Sequence, residues 1–405
     1  MLYGEVSNLL DTLRKAADFV KGCEFDELIS KNEVVLYDIT DGVRCVNKVL
    51  FDSAVIVICN LDSALSDAIQ EKNITIFLKE FDKWNAVIDE VVTNRINQPN
   101  NIDEQFAWLI DHVTYVDSKV ICGLIKERLL RYNENELREI NYFFQDHARM
   151  FGTLDTYNGI YEVVFDRVNS LIEHKDDFIW LYHKLGDYRS KQVLVNTLYN
   201  WLTFDQKYLE SMCENNYKDY YDLDLLQCDQ DEVIVDLGAY IGDSALDFIS
   251  TFRRYKKIYC YDITPRHIEI MQHSLKEYDG IEVRYKGVGA KQGKLFRNLG
   301  RDAGNYLTEQ NYGNEIDVVT IDDDILEKVT LIKMDIEGGE QDALKGCKRH
   351  ITEERPKLLI CVYHNNRDIV EVPKMIMEMR DDYKLYLRSN GKHKWVPQEL
   401  VLFAV

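Results

Sequence analysis

The chain has 405 residues, 46% of them hydrophobic, with 20 Gly and only 5 Pro. That is enough apolar material for two or three packed domains, and it excludes a fibrous or disordered chain. The formal net charge of -21 has the wrong sign for a groove that tracks phosphates, so no nucleic-acid partner is expected.

The acidity is uneven. Residues 229–405 carry 26 Lys and Arg against 31 Asp and Glu, a balance of -5, whereas residues 1–228 carry 23 against 39, a balance of -16. The two halves are therefore built differently. The nine cysteines form no CxxC pair. Cys59, Cys260 and Cys361 sit inside apolar runs, as reduced, buried thiols do. The opening MLYGEVSNLLDTLRKAADF lacks a basic segment followed by an apolar one, and no apolar run reaches membrane-spanning length. A soluble cytoplasmic protein with no membrane association is expected; the oligomeric state is open.

Residues 1–105 alternate short β-like runs (Val34–Tyr37, Ala54–Cys59, Ile74–Leu78) with helix-like stretches. This predicts a small, degenerate α/β N-terminal domain without a glycine loop for a phosphate. Residues 106–228 are expected to be helical. In SKVICGLIKERLLR, Val120, Leu124, Leu129 and Leu130 follow a helical period. The Tyr- and Asn-rich tract from Tyr208 to Tyr221 is expected to be a linker.

From residue 229 to Val405 the pattern changes to apolar β runs alternating with amphipathic helices. Strands are predicted at 233–238, 257–263, 281–289, 329–338, 356–364, 383–389 and 399–405. Continuous apolar runs suit buried parallel strands. The last two strands are about ten residues apart around Gly391, too close for a helical crossover, so they should be antiparallel. The expected fold is α/β and Rossmann-like: a mostly parallel seven-stranded sheet with an antiparallel last strand.

The first of these strands runs into Asp236-Leu-Gly238-Ala239-Tyr240-Ile-Gly242-Asp243. Gly238 and Gly242 are expected to bare the backbone for a cofactor, and Asp236 could hold a cofactor's ammonium group. A dinucleotide site would need G-x-G-x-x-G, but from Gly238 the required glycines fall on Tyr240 and Asp243. Asp243 would also oppose a pyrophosphate at the helix N-terminus. A nicotinamide-dependent oxidoreductase is thus disfavoured, whereas the phosphate-free S-adenosylmethionine is compatible. Asp262, 24 residues after Gly238, ends the second strand, where a carboxylate can accept both ribose hydroxyls.

The segment LIKMDIEGGEQDALKG places Asp335 and Glu337 at the carboxyl end of the fourth strand, where open α/β sheets bind ligands. Glu340 and Asp342 follow in a first helical turn, a position the helix dipole favours for acids. His364 closes the fifth strand and should lie beside Asp335 and Glu337, as a base oriented by carboxylates. The reverse assignment, with Glu337 as base, is open. The trio could also bind a divalent metal, but no HExxH or cysteine spacing supports it, and no metal is expected.

Together these pieces resemble the FkbM family of S-adenosylmethionine-dependent methyltransferases: VIVDLGAYIGDSA, the YCYDITP strand end, VVTIDD around Asp322, LIKMDIEGGEQDALKG, VYHNNRDIVEVP and YKLYLRS…ELVLFAV. The resemblance covers about 170 residues and implies a class I methyltransferase fold. It implies methyl transfer to a hydroxyl, often on a sugar or polyketide-like acceptor. Gly238, Ala239, Tyr240 and Gly242 would line the methionine end and Asp262 the ribose. Asp335, Glu337 and His364 would lie near the transferred methyl. The family commonly has Glu where YDITP has Asp262, which shortens the reach to the ribose. The expected function is O-methylation of a sugar or glycan precursor. The alternatives are N-methylation of a small molecule and a non-catalytic interaction protein that retains the fold.

Overall fold

A computed structural model describes residues 101–405 except 116–117, 214–216, 218–219, 299–303 and 392. The α/β unit expected over residues 1–105 lies almost wholly outside these residues. The described residues fall into two compact units.

One unit holds residues 101–148, 152–173 and 198–205. It is built from α1 (Ile102–Tyr115), α2 (Ser118–Leu129), α3 (Glu134–Asp146) and α4 (Glu162–Glu173), with a short hairpin pairing Leu154–Asp155 and Ile160–Tyr161. Asn133 starts α3 with a capping box: its side chain accepts from the Asn135 and Glu136 amides, and Glu136 returns a bond to the Asn133 amide. α4 buries Val163, Val164, Val168 and Leu171. On the same helix Arg167 is 1% exposed and lies over the rings of Phe144 and Phe204.

The other unit holds Arg149–Phe151, His174–Thr197 and Gln206–Val405. Its longer helices are α5 (Lys175–Lys184), residues 188–197 of α6 (Tyr188–Thr203), α7 (Gln206–Met212), α8 (Asp243–Phe252), α9 (Pro265–Ser274), α10 (Glu340–Lys345) and α11 (Asp368–Met379). Seven strands form one sheet: β1 (Val233–Leu237), β2 (Lys257–Asp262), β3 (Ile281–Tyr285), β4 (Leu331–Met334), β5 (Lys357–Cys361), β6 (Leu385–Ser389) and β7 (Leu400–Ala404). Their order is β6-β7-β5-β4-β1-β2-β3. The five strands from β3 to β5 are parallel, and β7 runs antiparallel to both β5 and β6. This is the expected sheet, with the last strand inserted beside β5. Every residue of β1, β4 and β7 is buried, which accounts for their unbroken apolar runs.

The compact unit begins well before residue 229, the boundary expected from the sequence. The Gly186 amide bonds to the Leu385 carbonyl at 2.8 Å. Buried Arg388 on β6 donates to Asp187 at 2.7 Å and to Asp222 at 2.5 Å. These charge-assisted bonds tie the segments before the sheet to its edge. Nor is the Tyr-rich tract only a linker: Tyr220 and Tyr221 are 8% and 3% exposed and belong to the core of the sheet.

The run expected as one strand over 281–289 breaks at Lys286. Residues 281–285 join the main sheet, whereas Gly287–Val288 pairs with Glu315–Val319 in a separate four-stranded sheet completed by Gly293–Arg297 and Leu307–Thr308. Among the described residues no helix is long and apolar enough to cross a membrane.

Candidate functional site

The carboxyl ends of β1, β2 and β4 open onto a cavity of about 510 Å³. Five of the nine expected site residues line it: Gly238, Tyr240, Asp262, Asp335 and Glu337. The other four, Asp236, Ala239, Gly242 and His364, stand behind its wall.

The turn after β1 is shaped by close approach. Gly238 has φ +76°, and a β-carbon there would fall 1.8 Å from the Asp335 carbonyl oxygen. Glycine is thus required first by the neighbouring strand, and the bare backbone it leaves also faces the cavity. Gly242 has φ +86°, and a β-carbon there would meet Leu275 at 2.9 Å and Met271 at 3.2 Å. Its missing side chain makes room for α9 rather than for a cofactor, contrary to expectation. Ala239 is fully buried in the apolar core.

Asp236 is also displaced from its expected role. Cross-strand register places it beside Lys333. Both are 3% exposed at the side chain, and Lys333 Nζ lies 3.1 Å from Asp236 Oδ1. Ser244 Oγ donates to Asp236 Oδ2 at 2.5 Å, and Lys333 also donates to the Gly238 carbonyl at 2.8 Å. Burial opposes a charged Lys333, but the Asp236 and Asp335 carboxylates outweigh it and hold the amine protonated. This buried pair braces the turn from beneath.

Asp262 ends β2 and faces the cavity. Its Oδ2 accepts from the Tyr240 amide at 3.1 Å, and its Oδ1 accepts from the Thr264 amide at 2.7 Å and lies 3.1 Å from His267 Nδ1. These partners fix the carboxylate's orientation and leave lone pairs for a diol. Behind it, Tyr261 donates to Asp324 at 2.7 Å. The Tyr261 carbonyl accepts from both the Gly238 and Ala239 amides.

The β4 end gathers four acids and a histidine. His364 Nε2 lies 3.3 Å from Asp335 Oδ1 and 3.8 Å from Glu337 Oε2. Its Nδ1 lies 3.0 Å from Glu340 Oε1. Asp368 is buried nearby, held by Gln341 at 2.8 Å. Tyr220 donates to Asp335 Oδ2 at 2.6 Å, and the Tyr363 hydroxyl approaches Asp335 Oδ1 at 3.5 Å. Glu337 adopts a left-handed φ of +59°, a costly conformation for a side-chain-bearing residue, of the kind found at functional sites.

Electrostatics follow from this crowding. Burial disfavours a charged His364, yet Glu340, Asp335 and Glu337 push its pKa up to about 10. Burial, with repulsion from Asp335 and Glu340, pushes Glu337 up to about 7. Burial would raise Asp335, but His364, Lys333 and the Tyr220 bond outweigh it and hold it below the ordinary carboxylate value.

Two contributors, Arg149 and Tyr220, escaped the sequence reading, and a third, Glu340, was named there only as a first-turn acid. Arg149 donates to the Glu337 carbonyl at 2.7 Å and stacks 3.7 Å from the Tyr306 ring centroid. It comes from nearly two hundred residues upstream, with no motif around it. Tyr220 was hidden in the supposed linker. Glu340 is fully buried and accepts from the Ile336 amide at 3.0 Å as well as contacting His364, so it is more than a helix-dipole acid. The signal for Glu340 was its spacing in the EGGE turn. Tyr363 lines the cavity, whereas Tyr386 packs against Gly186. Asp322 caps the start of the segment at Arg349 and His350 and is structural.

Residues 236–392 match the family model of the methyltransferase FkbM domain. Among solved structures, methyltransferase FkbM from Methylobacillus flagellatus KT is 26% identical with a TM-score of 0.53, over 68% of this chain and 72% of that one. An rRNA methylase from Streptococcus thermophilus is 13% identical with a TM-score of 0.30, over 45% of this chain and 88% of that one. No curated protein matches. The C-terminal part of this chain is a methyltransferase domain of the FkbM family.

Proposed function

We propose that the chain is an S-adenosylmethionine-dependent O-methyltransferase acting on a hydroxyl of a sugar or glycan precursor. The observation that carries this reading is the arrangement of carboxylates around one cavity. Asp262 stands at one strand end, Asp335 and Glu337 at another, and the Gly238–Tyr240 turn lies among the same lining residues.

The chemistry of the lining fits a cationic, phosphate-free cofactor. Asp243, in the first turn of α8, and Asp247 both line the cavity. Asp243 occupies the helix end where a pyrophosphate would otherwise bind. In this reading Asp262 holds the ribose and the bare backbone at Gly238 lies against the methionine end. Asp236 acts indirectly, by fixing Lys333 and through it the Gly238 carbonyl. The bound cofactor supplies an electrophilic methyl carbon.

The protein's remaining task is to align an oxygen and exclude water. Asp335 and Glu337 face the cavity and accept the acceptor hydroxyl's hydrogen bond, raising its nucleophilicity. His364 lies behind them without a face on the cavity, so its influence on the acceptor passes through this cluster. Tyr220 and Tyr363 flank Asp335 and offer aromatic surface to a sugar ring.

The test is mass spectrometry of candidate glycan precursors incubated with the chain and S-adenosylmethionine. The expected result is an oxygen-linked methyl group, absent with Glu337→Gln. A nitrogen-linked methyl would favour the N-methyltransferase alternative and overturn the reading.

A further inference from the structure

The buried side of the Asp335–Glu337–His364 cluster is not satisfied by protein. His364 is 3% exposed and its Nε2 has no hydrogen-bond partner, and the same holds for the buried Glu337 Oε2. Leaving such atoms unpaired costs their full desolvation, which marks a missing partner. His364 Nε2 lies 3.3 Å from Asp335 Oδ1 and 3.8 Å from Glu337 Oε2, and one donor atom from each of the three residues lies within 4.8 Å of the others.

We propose that Asp335, Glu337 and His364 bind one divalent cation at the cavity wall, with the acceptor oxygen completing its coordination. This rests on the reading of the cavity as a methyl-transfer site.

Donor atoms about 2.0–2.2 Å from one ion and at right angles lie about 3 Å apart. The observed separations from His364 Nε2, 3.3 and 3.8 Å, are close to this, and the third lies within 4.8 Å. The N,O,O donor set suits a first-row divalent ion such as Mn²⁺. Glu340 supplies what a metal-binding imidazole ordinarily has, a carboxylate on its other nitrogen, which fixes the tautomer and the ring plane. The open side of the cluster is the cavity, because Asp335 and Glu337 line it.

The field is also of the right sign. Three carboxylates, those of Asp335, Glu337 and Glu340, lie within 4 Å of one imidazole, a surplus of negative charge that favours a cation. Nothing in the local spacing announces the site, because its ligands come from two strand ends. A cation there would lower the pKa of a bound hydroxyl and hold its oxygen at a fixed point.

The test is a titration of Mn²⁺ into the full chain, followed by the electron paramagnetic resonance of the free ion. One site per chain is expected. Glu337→Gln and His364→Gln should weaken it at least tenfold, and Glu340→Gln about 10- to 100-fold. Glu337→Gln keeps the result interpretable should His364→Gln fail to fold. No site in the wild type, or an unchanged site in both ligand variants, overturns the proposal. S-adenosylhomocysteine calorimetry on the same samples separates the two readings: cofactor binding without Mn²⁺ binding removes the cation site alone, and the reverse removes the cofactor reading alone.

Discussion

Gly238 and Asp335 meet so closely that the backbone of one strand end occupies the space where the other's side chain would begin: a β-carbon on Gly238 would lie 1.8 Å from the Asp335 carbonyl oxygen. The cofactor turn and the acidic strand end are thus one mechanical unit, and a change in one is felt in the other.

Gly238→Ala should therefore destabilise the fold by more than the roughly 1–3 kcal/mol of an unfavourable φ alone, because backbone must also move. Gly293→Ala is the control, since its β-carbon would meet nothing within 4 Å and its φ is not positive. Thermal melting should show a large drop for the first and little change for the second. Equal melting temperatures would mean that the turn is looser than its geometry.

Lys333→Met should leave Asp236 as an unpaired buried carboxylate, at a cost of about 3–5 kcal/mol. Adding Asp236→Asn should recover part of that loss, because the orphan charge is then gone. Urea midpoints of the two single variants and the double measure the coupling. Strict additivity would show that the two residues do not act as a pair.

Asp324 supports the turn through Tyr261 and accepts from Arg284 at 2.6 Å and Lys286 at 2.7 Å. Burial would raise its pKa, but Lys286, Tyr261 and Arg284 outweigh it and hold the value below the ordinary 3.8. A depressed carboxylate stabilises the fold above the unfolded value and loses that contribution as pH falls through the folded value. Asp324→Asn should be less stable than wild type at pH 7, and the gap should narrow as pH drops below about 3.8. A gap that is constant from pH 7 to pH 3 would contradict the ion-pair account.

The sheet was legible because burial on both faces writes itself as unbroken apolar runs, as in Val233–Leu237 and Leu331–Met334. The neighbourhood of His364 with Asp335 and Glu337 was legible too, because parallel register sets consecutive strand ends side by side. Residues 286–319 were not, since their strands are only two to five residues long, and the exposed–buried alternation of Glu315–Val319 is too brief to stand out. Gly242 shows another limit: a glycine in a motif indicates that a side chain is excluded, not which neighbour excludes it. Arg149 and Tyr220 arrive from distant segments whose local pattern says nothing of the cavity they reach.

Calorimetry of S-adenosylhomocysteine binding to the wild type and to Asp262→Ala tests the central reading most directly. One site per chain is expected, weakened in the variant by about 1.5–3 kcal/mol for lost bonds to a charged group, or roughly 10- to 150-fold. No binding to the wild type, or equal affinity in both proteins, would contradict the assignment of this cavity to a sulfonium cofactor held through its ribose.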